Sequence, residues 1–257
     1  SIFPPGLETN GMRAKRFTRP GLVALLLWLS ASLPGRAGVM AGGRNPIAEG
    51  YGADGPYEVV VDTVRGRFMA HRTVYVYRPA VDNERFPVVF FFAGFAVWKP
   101  CHYDHLLRHV ASRGNCVVFP SYLMIQFPHQ SRTYNLIYAG ARAGVKACRP
   151  HIDTTRLGFI GHSFGGSAFP MFMSVLVKRR GWGSRGAYVH IMAPFYMYLC
   201  PTRRLRSFPS QVKLLVEVFE DDDWNDHRMA KDLFETIGIP PAEKDFVVLR
   251  SDTCPGT

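Results

Sequence analysis

The sequence predicts an α/β fold: a mostly parallel, doubly wound sheet preceded by an antiparallel strand pair. Three observations carry this. From Val88 onward, apolar strand-length runs alternate with helix-length segments, the signature of parallel strands joined by helical crossovers. Phe86-Pro87-Val88-Val89-Phe90-Phe91-Phe92 is almost unbroken in its apolar character, which suits a central strand buried on both faces. Finally, Leu157-Gly158-Phe159-Ile160 runs into Gly161-His162-Ser163-Phe164-Gly165-Gly166, and a mostly apolar run from Ser167 to Lys178 leaves it. That order reads as strand, sharp turn and helix, with a serine at the turn.

The elements follow in order. Asn45 to Pro56 is rich in Gly and Pro and reads as a loop. Tyr57–Asp62 and Arg72–Tyr77 hold β-branched and aromatic residues in quick succession, as an antiparallel pair joined by a turn near Gly66 would. After the Phe86 run, His102 to Arg113 has helical spacing, with Leu106, Leu107, Val110 and Ala111 on one face and Gly114 as its stop. Cys116–Pro120 is the next strand, Ser131–Cys148 the next helix, and Ile152-Asp153 leads into the serine-bearing strand. Gly186–Ala193 and Val212–Phe219 are further strands. Asp226 to Ile237 is a capped amphipathic helix closed by Gly238, and Phe246–Arg250 is the final strand. Pro170 falls inside the helix after the serine turn and is expected to kink it.

At 257 residues the chain is long enough for one sizeable core and fits a single α/β domain. Residues 12–41 read as a secretory signal peptide. Arg13, Lys15, Arg16 and Arg19 form a basic start, Gly21 to Leu33 an apolar stretch, and small residues follow, with cleavage after Ala37 or Ala41. The apolar stretch is short for a stable membrane span, and a retained anchor is the alternative. Residues 1–11 precede Met12 and read as an upstream extension, leaving 42–257 as the folded domain. Residues 1–41 carry a net +4 of the chain's +11. The rest lacks a compact basic-aromatic stripe, so it reads as a solvated basic surface and not as a nucleic-acid site. Cys101, Cys116, Cys148, Cys200 and Cys254 show no metal-binding spacing; export would permit some pairing, which the sequence does not specify, and Cys116 reads equally well as a buried thiol.

Gly161-x-Ser163-x-Gly165 carries the chemistry. A serine held at such a turn is in a strained backbone conformation, and a Cβ two residues to either side would strike the neighbouring strand and helix. With the run Val88 to Phe95, the helix–Ala-Ser-x-Gly–strand segment Leu106 to Pro120, and Phe219 to Asn225, this motif resembles a bacterial serine hydrolase of the α/β-hydrolase superfamily over residues 57–252. The branch it most resembles holds the dienelactone hydrolases, the chlorophyllase-like proteins and the cutinase-like polyester hydrolases.

The resemblance implies roles. Ser163 is the acyl-accepting nucleophile, and Asp222, in the family spacing with Trp224, is the acid, with Asp221 and Asp223 as competitors. The backbone N–H groups of Phe95 and Phe164 form the oxyanion hole, and their rings are free to line an apolar acyl pocket. The base is the difficulty. The family places a histidine after the last strand, where this sequence has none, so the base is expected beyond Thr257 and the domain is expected to lack its C-terminal end. The final helix of the fold would then be absent and its apolar footprint exposed. His190 reads as a mid-strand residue pointing into the sheet packing, His227 as a helix-start residue, and His162 as packing beneath the turn. His105 and His109 share a helical face but lack the glutamate of a zinc hydrolase pattern, so they read as solvent-boundary residues.

The expectation is a secreted enzyme cleaving small or polymeric carboxylic esters, with no cofactor, no metal, no nucleic acid and no stable membrane span. A catalytically silent binding protein of the same fold, or a lactone or peptide hydrolase, is the alternative. One prediction concerns the leader: protein expressed in a bacterial host should begin near Gly38 or Gly42 by mass spectrometry. An uncleaved product in the membrane fraction would instead identify a retained anchor.

Overall fold

A computed structural model describes residues 49–64, 73–95, 97–122, 130–195 and 200–251. The leader, the turn near Gly66 and Cys254 lie outside the described residues. The strands are β1 (Val59–Val64), β2 (Val74–Pro79), β3 (Phe86–Phe92), β4 (Cys116–Pro120), β5 (Ile152–His162), β6 (Gly186–Met192), β7 (Val212–Phe219) and β8 (Lys244–Leu249). The helices are α1 (Asp104–Ser112), α2 (Gln130–Ala147), α3 (Phe169–Ser174), α4 (Thr202–Arg206) and α5 (His227–Thr236). The strands form a single sheet in the order β1-β2-β4-β3-β5-β6-β7-β8. β1 pairs antiparallel with β2, and β2 antiparallel with β4; every later pairing is parallel. This is the α/β-hydrolase fold.

β3 is central because both of its faces are apolar. Phe90 and Phe92 point to one side, where each ring lies 4.8 Å from Phe172, just beyond the proline of α3. Phe91 points to the other, 4.7 Å from Tyr103 and 5.8 Å from Phe119. Such edge-to-face and offset aromatic contacts add to the area each ring buries. β5 runs parallel beside β3, with an irregularity that sets Asp153 opposite Pro87 but Leu157 opposite Val88. Asp153 holds that kink, accepting from Thr155 N–H at 2.9 Å and Thr155 Oγ1 at 2.6 Å. The Thr155 bonds, followed by the Arg156 guanidinium, keep the Asp153 carboxyl below its ordinary range.

Pro170 does not kink a helix. A 3-10 turn, Gly166–Ala168, precedes α3, so Pro170 falls in the helix's first turn, where its missing N–H has no partner to lose. The winding then loosens to a π segment over Val175–Arg179. Asp226 caps α5 by accepting the Arg228 N–H at 2.9 Å. α4 follows a segment with no helical periodicity in its sequence, and only the fold reveals it.

α2 lies flush on β2 and β4 because two of its residues have no side chain. A Cβ on Gly140 would sit 2.8 Å from Pro120 Cβ, and one on Gly144 2.6 Å from Val118 Cγ1 and 3.0 Å from Val74 Cγ1. On the opposite sheet face, α1 packs on β1, β2 and β4, with Leu107 and Ala111 fully buried. Across β5 to β8 that face is an open groove of about 640 Å³, lined by Ile160, Tyr188, His190 and Leu215 among others. Among the described residues no helix covers it, and Tyr188 is 57% exposed there. His190 lies on this face and not within sheet packing, 3.0 Å from Glu217 Oε2.

The flush seating of α2 gives a second prediction. Gly144→Ala should destabilise the fold by about 1–3 kcal/mol, because the stiff branched side chains of Val118 and Val74 cannot swing aside. Urea unfolding of variant and parent measures this. An unchanged midpoint would show that α2 moves freely off the strands.

Candidate active site

The site forms where three parallel strands end at the same edge of the sheet. β3 ends in Ala93-Gly94-Phe95, β5 in Ser163, and β7 in the loop Glu220 to Asn225. β3 and β5 are neighbours, and β7 lies two strands beyond β5, so Ser163 and the acidic loop are about 10 Å apart by strand spacing.

Ser163 has φ +50°, in the left-handed region that side-chain-bearing residues rarely occupy. Its surroundings hold it there. Its N–H donates to the Met192 carbonyl at 2.9 Å, and its own carbonyl accepts from Phe195 N–H at 3.2 Å and Ser167 N–H at 3.3 Å. The flanking glycines are steric necessities. A Cβ on Gly165 would lie 2.1 Å from the Phe92 carbonyl oxygen and 2.3 Å from that of Ala93. One on Gly161 would lie 2.6 Å from Gly166 Cα. Thus the turn rests directly on the end of β3, and the helical segment after it rests on β5.

Among the described residues, neither the Phe95 N–H nor the Phe164 N–H is taken up by another group. Tyrosines fix the loop that carries the first. Tyr122 Oη donates to the Ala93 carbonyl, and Tyr103 Oη accepts the Gly94 N–H at 3.1 Å. The second is fixed by its ring, which is only 2% exposed, stacked on Tyr134 at 5.5 Å and tilted against Tyr122 at 6.0 Å. That ring belongs to the core and does not line a cleft, because the turn points it inward between the two tyrosines. Tyr103, Tyr122 and Tyr134 escaped the sequence reading, since isolated tyrosines carry no pattern until the fold gathers them.

Asp222 is half-buried, while Asp221 and Asp223 are exposed. Its carboxylate organises its own loop: Oδ1 accepts the Trp224 N–H at 2.9 Å and the Asn225 N–H at 3.0 Å, and Oδ2 the Asn225 side-chain amide at 2.9 Å. It lies near enough to His162 to influence that ring's titration. His162 does not pack beneath the turn as expected. Its Nδ1 is 2.8 Å from Tyr103 Oη, beside Gly94. That oxygen accepts the Gly94 N–H, which leaves the tyrosine proton free to be donated to Nδ1 in the tautomer where this nitrogen is unprotonated. Burial holds the imidazole below its ordinary range, and the Asp222 carboxylate opposes this.

The other histidines lie elsewhere. His227 Nε2 donates to the Phe219 carbonyl at 2.7 Å, and His109 Nδ1 sits 3.5 Å from Asp54. His102 and His105 are exposed on and before α1. Among the described residues no histidine hydrogen-bonds Ser163, and no cluster of three metal-ligating side chains forms.

Residues 51–177 match the family model described as Chlorophyllase. The matched stretch includes the Phe95 loop and the Ser163 turn, and Asp222 lies outside it. No curated protein matches the chain. The family match points to an ester hydrolase of the α/β-hydrolase type.

The neutral His162 yields a prediction with a definite sign. The folded protein binds fewer protons at this ring than the unfolded chain does, so stability should fall as pH drops through the unfolded value near 6.5 and level off below the depressed folded value. His162→Asn keeps an acceptor for Tyr103 and removes the titration. Urea midpoints between pH 7.5 and about 5 should fall more steeply for the parent than for the variant, by at most about 1.4 kcal/mol per pH unit. Parallel curves would show that His162 titrates alike in the folded and the unfolded chain.

Proposed function

We propose that the chain is a serine hydrolase of the α/β-hydrolase superfamily, on its chlorophyllase-like branch, that cleaves carboxylic esters through an acyl-enzyme on Ser163. The observation that carries the reading is the strained Ser163 beside two backbone N–H groups that have no other partner among the described residues. Ser163 Oγ attacks the ester carbonyl carbon as a general base takes its proton; the same group, protonated, then gives that proton to the departing alkoxide. The carbonyl oxygen becomes an oxyanion and accepts the N–H groups of Phe95 and Phe164, which are rigid and so need no rearrangement as charge develops. Collapse expels the alcohol and leaves the acyl group on Ser163; water then attacks the acyl carbon and releases the acid. Asp222 is the acid that orients the base, its loop N–H groups fixing the carboxylate.

Exposed aromatics support apolar esters as substrates: Trp224, 69% exposed, lies two residues after Asp222, and Trp98, 42% exposed, follows the Phe95 loop. The leader supports export, and among the described residues no helix is long and apolar enough to cross a membrane.

A second reading, a binding protein that retains the fold without turnover, is favoured by one observation: no described histidine reaches Ser163. One experiment separates the two. A p-nitrophenyl ester series is measured with the full-length protein as parent and with its Ser163→Ala and Asp222→Asn variants, alongside labelling by a fluorophosphonate. The hydrolase reading expects turnover that Ser163→Ala abolishes, Asp222→Asn reduces by about 10⁴-fold with the fold intact, and a label on Ser163. If Asp221→Asn or Asp223→Asn is the crippling change, the acid is assigned to the wrong residue. Parent turnover no faster than Ser163→Ala, with no label, would establish the binding reading.

A further inference from the structure

We propose that Cys116 and Cys148 form an intramolecular disulfide that staples the end of α2 to the start of β4. The geometry rests on a register between helix and strand. Gly140 of α2 sits against Pro120 and Gly144 against Val118, both at closer than van der Waals distance for an added Cβ. Four residues along a helix advance 6 Å, and two along a strand about 6.6 Å. The next step of each series is Cys148 and Cys116. Side chains at 116, 118 and 120 share one strand face, so the Cys116 thiol points at α2.

The surroundings agree. Both residues are buried, at 0% and 3% exposure, and both are free thiols here. Cys148 closes α2, its N–H and its Sγ each 3.0 Å from the Gly144 carbonyl oxygen. The two thiols interact directly: Cys116 is raised, first by its hydrogen bond to Cys148 and then by burial, while Cys148 is lowered by receiving that bond. The hydrogen bond between the thiols favours ionisation of whichever sulfur receives it, and in the exchange that follows that sulfur is Cys148.

The oxidant is a disulfide, of a small molecule such as oxidised glutathione or of a protein. The Cys148 thiolate attacks one oxidant sulfur and expels the other as a thiolate. Cys116 then loses its proton and attacks the mixed disulfide at Cys148 Sγ, expelling the second thiolate. Two thiols lose two electrons and two protons, and one oxidant disulfide becomes two thiols. Because both sulfurs are buried, the exchange takes place during folding or local opening. The closed loop of about 30 residues includes Tyr122 and Tyr134, the two rings that flank Phe164, so the staple also limits how far that packing loosens.

The test uses the full chain, recovered from an oxidising bacterial periplasm and, separately, refolded from urea in a mixture of oxidised and reduced glutathione. Free thiols are alkylated in denaturant, and peptides are mapped by mass spectrometry without reduction. The expected result is a Cys116–Cys148 linked peptide, lighter than the sum of its parts by two hydrogens, that disappears on reduction. Exposed Cys101 reports that oxidant was available, by its glutathione adduct in the refolded sample. Reduction of the parent should lower Tm by about 5–10 °C. Cys116 and Cys148 alkylated in both preparations while Cys101 is modified, or either one joined to Cys101, Cys200 or Cys254, would overturn the proposal.

Discussion

The close approach of two backbones governs this site. The turn after β5 presses Gly165 onto the carbonyl groups of Phe92 and Ala93 at the end of β3. No side chain fits between them, and the contact leaves Ser163 in a conformation it would not choose. Carbonyl oxygens cannot yield as a flexible side chain can, so the glycine requirement is absolute at Gly165. The same contact sets the Phe95 loop and the Phe164 N–H beside each other, because each hangs from one of the two strands brought together. Serine strain and the pair of N–H donors are thus one arrangement.

Holding that arrangement takes the rest of the domain. The aromatic side chains of β3 anchor it from both faces, through Phe172 on one side and through Tyr103 and Phe119 on the other. Tyr103 has a second function, since its hydroxyl joins the Gly94 N–H to His162. A neutral imidazole suits this position, because burial disfavours its charge and an unprotonated Nδ1 can accept the tyrosine hydroxyl.

The two sheet faces differ in how they are closed. On the α2 side, glycines let a helix sit directly on β4, and this close seating aligns the thiols of Cys116 and Cys148. On the α1 side, covering stops at β5, and the groove beyond it keeps tyrosine, histidine and charged residues at its surface. Dense packing on one side and an open face on the other let the region beneath the Ser163 turn be rigid without the whole sheet being equally enclosed.

Much of this was legible in the residues because it is local. The strands β3, β4 and β7 follow from unbroken or alternating apolar runs, and the serine turn follows from Gly161, Gly165 and the apolar runs on either side of it. Each depends only on neighbours within a few positions. What the tertiary structure decided is what depends on distant partners. The insertion of β4 between β2 and β3, the half-burial that sets Asp222 apart from Asp221 and Asp223, the gathering of Tyr103, Tyr122 and Tyr134, and the harmless placing of Pro170 all belong here. So does the facing of Cys148 by Cys116. The sequence by itself determined which segments extend, turn or coil, since those choices are made by backbone sterics and hydrophobic period. Which side chains then meet was decided only when the sheet closed, because contact between residues far apart in the chain is a property of packing and leaves no periodic trace in the order of amino acids.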